Sequence, residues 1–375
     1  MRSHRAPGRM PVPADEASLQ AAVAWLARAQ DATGDGGVSG RYRLSGGWTS
    51  SYPETTGYLV PTLLAVADAS GDDRYRERAS RCVDFLLSVQ LPDGGFPALE
   101  IADNRTRPSP FNSAQIVHGL QRWHQQSGDP RALDAAMRAA RWICDVQDAD
   151  GAWRQHFYRG LACTYSAHAA CWLAELGEYA GEARFVAAAE RNVRWVLGQV
   201  DTATGWFDAC GFSEAGHAAR RSYTHTIAYA LWGTLLVSER RGIDEGVRAV
   251  HRAAESLMHR LERSRRLPGV LDHQWRPAAD YTCLTGNAQL AILWMHVAVT
   301  TGDARFVNAA FTALDHVKRA QSMASGDAGI RGGVPGSWPV GGGYIPYALP
   351  NWAAKFFVDA LLGKQAWLAR AARQH

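Results

Sequence analysis

The sequence predicts an all-α fold, an (α/α)6 toroid of six helical hairpins, and three observations predict it. An apolar-periodic helix ending in Gln, followed by a Gly-rich turn with an aromatic, recurs along the 375 residues. Its copies end at Gln30, Gln90, Gln147, Gln199, a weaker Glu262 and Gln321, at intervals of 60, 57, 52, 63 and 59 residues. A second signature runs in phase, with Gly71, Gly128, Gly181, Gly242 and Gly302 each followed closely by Asp or Glu. Between the two lies another helix per unit, apolar on most faces with Gly, Ala and Ser mixed in, as a helix buried on both sides requires.

Taken in order, the inner helices start at YPETTGYLVPTLL, PFNSAQIVHGLQR, CTYSAHAACWLAEL, SYTHTIAYALWGTLL, TCLTGNAQLAILWM and PNWAAKFFVDALL. The Gln-terminated helices, such as RYRERASRCVDFLLSVQ and ARFVAAAERNVRWVLGQ, carry Arg and Glu on one face and read as an outer layer. Each in-phase Gly suits a left-handed C-cap, and the acid after it suits the start of the next helix. The repeat Gln side chains, Phe96, Trp153 and Trp206 read as structural. Six units of two helices give twelve helices, a count that favours a closed ring over an open solenoid. No Pro/Ser linker divides the chain, so residues 15–375 are expected to form one toroid, with residues 1–14 a flexible tail.

Composition narrows the function classes. The chain is 47% hydrophobic and 20% charged, which excludes a disordered protein. No stretch offers the roughly 20 uncharged apolar residues of a membrane span. The first 20 residues lack a secretory apolar core, which leads to the expectation of a cytoplasmic protein. A net charge of +4 without a basic run gives no case for nucleic acid. Six cysteines without CxxC spacing read as buried thiols. No phosphate loop, dinucleotide fingerprint or calcium-type carboxylate cluster is visible, so no cofactor or metal is expected. Asp208, Cys210 and His273 imitate a zinc set, against the simpler reading of a turn carboxylate and a buried thiol.

The long connections, residues 31–52, 91–111, 148–163, 200–221, 263–280 and 322–350, are expected at one mouth of the ring, opposite the short Gly turns. Aligned helix starts put Glu54, Asn112, Thr164, His225, Thr285 and Asn351 toward the lumen. One turn deeper come Tyr58, Ile116, His168, Tyr229, Gln289 and Lys355.

The outer-helix pattern, as in RAARWICDVQDADGAW, is similar to the QW repeats of squalene–hopene cyclases and protein prenyltransferase β subunits, which implies a toroid but no reaction. The DxDD acid of the cyclases is absent. More specifically, WTSSYPETTGYLVPTLL, QLPDGGFPA and GGVPGSWPVGGGYIPYALPNWAAKFFVDAL resemble polysaccharide-biosynthesis proteins of the VpsJ type. That resemblance implies glycan handling on a six-hairpin toroid, an architecture that also serves glycosidases, lyases and epimerases.

Candidate residues follow. Glu54, flanked by Tyr52 and Tyr58, suits a general acid or base, against an N-terminal carboxylate that merely balances the helix dipole. His225 and Tyr223 suit proton movement, with Arg221 four residues before His225 to neutralise a substrate carboxylate. Their alternative is a buried hydrogen-bonded pair. His168 is a candidate proton carrier or a lone structural histidine. Asn112 and Gln115 suit sugar hydroxyls, and Asn112 equally suits an N-cap. Asn351, Trp352 and Lys355 follow a Gly-rich loop, Trp to stack on a sugar and Lys to hold acidic groups. Trp338 and Tyr344 are further stacking candidates. This set favours a carbohydrate-active enzyme of exopolysaccharide synthesis or processing, a lyase or C5-epimerase on a uronic-acid glycan, with a glycan or glycan-lipid as partner. A six-hairpin glycoside hydrolase, a prenyl-lipid-handling toroid and a non-catalytic glycan-binding protein are the alternatives.

Overall fold

A computed structural model describes residues 11–103 and 106–373. Most of the expected N-terminal tail, residues 1–10, lies outside the described residues. The chain runs α1 (Asp15–Asp31), α2 (Pro53–Ser70), α3 (Arg74–Val89), α4 (Pro110–Ser127), α5 (Pro130–Asp145), α6 (Ala167–Ala180), α7 (Ala183–Leu197), α8 (Glu214–Ala218), α9 (Thr224–Arg241), α10 (Asp244–Ser264), α11 (Leu284–Thr301), α12 (Ala304–Ala320) and α13 (Asn351–Ala372). Setting aside the short α8 in a connection, these are the twelve expected helices. None is long and apolar enough to cross a membrane among the described residues.

The inner helices α2, α4, α6, α9, α11 and α13 each pack on the next, and α13 returns to α2, so the ring is closed. The Gly turns pair inner with outer helices: α2 with α3, α4 with α5, α6 with α7, α9 with α10 and α11 with α12. The sixth hairpin is made by the two ends of the chain, α13 against α1. There Asp15 receives both Lys318 (2.5 Å) and Lys364 (2.6 Å).

The two sequence signatures now have physical roles. Gly71, Gly128, Gly181, Gly242 and Gly302 cap the inner helices at φ 64–73°, the left-handed region that glycine enters without a Cβ penalty. The following acids cap the outer helices: Asp129 and Asp303 accept from the backbone N–H of Arg131 and Arg305. The repeat glutamines Gln90, Gln147 and Gln321 each tie neighbouring units together. Gln90 Nε2 donates to Gly94 O of its own turn and to Ala135 O of the next outer helix (2.9 and 2.8 Å). Gln147 does the same with Gly151 O and Ala188 O. Gln321 reaches Gly332 O and then Ser18 O on α1, repeating the tie across the closure (2.9 and 3.0 Å). An open solenoid would leave that last tie unmade.

The small residues of the inner helices permit close crossing. A Cβ on Gly119 would fall 2.0 Å from the carbonyl oxygen of Gly57, so α2 and α4 touch backbone to backbone. Phe96, Trp153 and Trp206 are fully buried, as their place in the repeat requires.

The connections hold short ribbons that helical periodicity does not reveal. Arg41–Arg43 pairs antiparallel with Ala348–Pro350, joining the first and last connections across the closure. Arg221–Tyr223 pairs with Val270–Asp272, and Thr282–Cys283 with Ser337–Trp338.

Candidate active site

The long connections and the starts of the inner helices enclose a cavity of about 960 Å³. Its walls carry Tyr52, Glu54, Tyr58, Asn112, Tyr223, His225, Tyr344 and Trp352 among the residues expected from sequence. A smaller groove of about 360 Å³, lined by Val299 and Trp367, holds one carboxylate, Asp303, already paired with Arg305. The chemistry is concentrated in the larger cavity.

Glu54 sits in the first turn of α2, which Pro53 starts, and its side chain is buried with 8% exposure. Tyr52 Oη and Asn112 Nδ2 both donate to the same oxygen, Oε2, at 2.7 and 2.5 Å. Negative charge is therefore favoured on Oε2, and a proton on Oε1. Burial pushes the carboxyl up to about 7, outweighing the lowering by the two donors. At neutral pH this is a poised acid. Asn112 is a carboxylate partner rather than an N-cap, since no side-chain cap bond forms at the start of α4.

His225 stands in the first turn of α9, the inner helix opposite α2 in the ring. Its Nδ1–H is donated to Gln289 Oε1 at 2.8 Å, which leaves Nε2 as the basic nitrogen. Burial lowers the imidazole to about 4, the Gln289 bond opposing it, so the ring is neutral near pH 7. Tyr229, one turn on from His225, packs 4.6 Å from its ring and lines the cavity together with Tyr58.

Aromatic rings make the rest of the wall. Phe111, Phe157, Tyr165 and Phe212 form a chain of contacts at 5.3–6.3 Å on one side. Opposite, Trp352 meets Tyr52 edge-on at 6.1 Å and donates Nε1–H to the Tyr344 hydroxyl at 2.9 Å. Tyr344 also packs 5.3 Å from the His225 ring.

Six expected residues lie elsewhere. Lys355 is paired with Asp359 one turn deeper (2.6 Å) and rests over the Phe356 ring (4.2 Å). Asn351 donates to Ser39 O and Thr55 Oγ1, holding the closure seam. His168 is buried between Trp172 and Tyr229, and Gln115 accepts from Trp172 Nε1. Arg221 is exposed on its ribbon opposite Asp272, and Trp338 lies in the ribbon opposite Thr282. In the third unit Thr164 turns away to bond Asp208 O, and Tyr165 takes the wall. The helix there starts as a 3-10 turn, Thr164–Ser166, which shifts the register by one residue. The imitation zinc set is not assembled: Asp208 is held by Arg220 at 2.8 Å, and no group of three His, Cys, Asp or Glu suited to a metal occurs among the described residues. All six cysteines are buried and unpaired, as expected.

Residues not singled out from sequence also line the cavity: Arg41, Glu100, Asp103, Arg107, His156 and Arg159. Four wall residues, Leu99, His156, Arg159 and Ile345, hold positive φ between 49 and 67°. Such a conformation costs an L-residue roughly 1–2 kcal/mol, and strained loop backbone of this kind is a mark of built sites.

The model of the GH127 catalytic domain, described as β-L-arabinofuranosidase, matches residues 47–228. Among solved structures, an unsaturated glucuronyl hydrolase specific for heparin superposes with a TM-score of 0.73 at 14% identity, covering 94% of this chain and 98% of that one. Cellobiose 2-epimerase from Spirochaeta thermophila DSM 6192 gives 0.75 at 15%, covering 96% of each chain. The epimerase from Bacillus thermoamylovorans B4167 gives 0.72 at 13%, covering 92% and 97%. At these identities the shared property is the fold: the chain is a six-hairpin (α/α)6 toroid of the kind found in glycoside hydrolases and sugar epimerases.

Proposed function

We propose that this protein is a carbohydrate-active enzyme that moves protons on a sugar held between Glu54 and His225, acting on a uronic-acid glycan as a lyase or C5-epimerase. One observation carries the reading. The two groups enter one cavity from opposite inner helices in complementary states, a carboxyl that retains its proton up to about pH 7 and an imidazole that is free base above about pH 4. Nε2 of His225 takes the proton from the carbon beside the uronate carboxyl. Oε1–H of Glu54 then protonates either the leaving oxygen, giving elimination, or the opposite face of the same carbon, giving epimerisation. Trp352, Tyr344 and the Phe111–Phe212 wall supply ring faces for the sugars. The motifs resembling VpsJ-type proteins support a place in polysaccharide synthesis.

Hydrolysis is the second reading, favoured by the GH127 match and the glucuronyl hydrolase likeness. In it Glu54 protonates the glycosidic oxygen and His225 activates water. Of the other wall carboxylates, Glu100 is engaged by Arg41 and Asp103 is exposed in its loop, which sets this site apart from a two-carboxylate hydrolase. Incubation with acidic and neutral polysaccharides in D₂O separates the outcomes. Deuterium at C5 without cleavage marks an epimerase, and unsaturated-uronate absorbance marks a lyase. Reducing ends without absorbance mark a hydrolase and overturn the first reading. Binding without any reaction leaves a glycan-binding protein.

A further inference from the structure

Arg41 stands on the strand Arg41–Arg43 and lines the cavity, its guanidinium carbon 5.9 Å from the Trp352 ring centroid. Nε and Nη2 both go to one oxygen, Oε1 of Glu100, at 2.8 and 2.7 Å. Nη1 has no hydrogen bond among the described residues. The Glu100 side chain is 4% exposed and that of Arg41 is 26% exposed, so the acid is anchored and the base reaches the cavity. The approach is close: a Cβ on residue 40 would lie 2.6 Å from Glu100 Oε1, so glycine before Arg41 gives the carboxylate its room. Glu100 thus grips the guanidinium by one edge and leaves the Nη1–Nη2 fork available for a planar anion.

That fork has a defined neighbourhood. Trp352, beside it, meets Tyr52, and Tyr52 donates to Glu54. A sugar stacked on Trp352 with its carboxylate on Arg41 therefore lies next to the acid. The other two wall arginines, Arg107 and Arg159, are exposed at the mouth, and Arg159 stacks on Tyr158 (5.3 Å).

We infer that Arg41 reads the carboxylate of a uronosyl residue on its Nη1–Nη2 fork, with Glu100 as the positioning residue that fixes the guanidinium. This rests on the glycan reading above and names what would make the cavity select acidic sugars.

The test is calorimetric binding of uronate oligosaccharides and of the same oligosaccharides with the carboxyl reduced to an alcohol. The proteins are the wild type, Arg41→Gln, and the double variant Arg41→Gln/Glu100→Gln, which leaves no unpaired buried carboxylate. Wild type is expected to prefer the acid by about tenfold or more, the scale of a charge-assisted bidentate bond. Both variants should lose that preference while binding the reduced sugar within about twofold of wild type, as removal of one carboxylate contact requires. A preference retained in the variants, or an equal loss for both sugars, overturns the assignment to Arg41. Wild type binding both sugars alike overturns it too, while leaving glycan binding intact. Wild type binding neither removes the glycan reading, and this inference with it.

Discussion

The Nδ1–H of His225 is donated to Oε1 of Gln289 at 2.8 Å, and this bond determines which nitrogen of the imidazole is basic. Gln289 lies on α11, one helix along from His225, so the tautomer is set by packing between two hairpins. Replacing Gln289 with Leu should leave the fold intact and lower kcat by roughly 10²-fold, the scale of one general base, with little change in KM. Replacing it with Glu should raise the imidazole above about 4 by adding a carboxylate neighbour, moving the acid limb of the rate profile upward. The pH dependence of kcat for the two variants checks both, and an unmoved limb in Gln289→Glu would reject the assignment.

The wild-type profile should be bell-shaped. His225 must be free base and Glu54 protonated, so the limbs fall near 4 and near 7. Activity rising steadily above pH 8 would contradict a protonated Glu54.

Glu54 also imposes a stability penalty with a definite sign. Its folded value is about 7 against a reference of 4.5, so the folded state holds the extra proton between those limits. The stabilising contribution is present below about 4.5 and lost as pH rises through about 7. Glu54→Gln should abolish activity and raise Tm relative to wild type at pH 8 more than at pH 5. The stability difference is at most about 3 kcal/mol, from 1.36 kcal/mol per unit. Parallel Tm curves across this pH range would show that the carboxyl is not desolvated.

Lys355 and Arg221, both expected at the site from sequence, are held differently by the fold, one in an ion pair and one on an exposed ribbon. Lys355→Met leaves the partly exposed Asp359 with its Thr62 hydrogen bond alone and should cost about 1–3 kcal/mol. Arg221→Ala removes an exposed side chain and should change stability by less than about 0.5 kcal/mol. Chemical denaturation of the two measures the contrast, and equal losses would contradict the placement.

The repeat glutamines should matter to folding and not to chemistry. Gln147→Ala removes the side-chain donor to Ala188 O and one of the two to Gly151 O, which keeps Asn192 Nδ2, at a cost of about 0.5–1.5 kcal/mol. Activity per folded molecule should be unchanged.

The ring was legible in sequence because every hairpin solves the same packing problem, so Gln, Gly and the aromatic return every 52–63 residues. Glu54, Asn112 and His225 were legible because polar residues at the start of a buried helix break its pattern. Lys355 shares that helical face, yet Asp359 one turn on draws it away, which a face argument on one helix does not weigh. Thr164 failed because a 3-10 start shifts the register. Arg41 and Glu100 were invisible because they meet from two irregular connections 59 residues apart in the chain, where Ile101 N–H donates to Ser51 O. Such non-local contacts leave no local period.

The most direct test of the central claim needs no substrate. Glutamate labelled with ¹³C at the side-chain carboxyl, with the Glu54 signal assigned by its loss in Glu54→Gln, can be titrated by NMR from pH 3 to 9. This carboxyl is expected to titrate near 7. A midpoint at or below the ordinary glutamate value of about 4.3 would contradict it and leave the cavity without its acid.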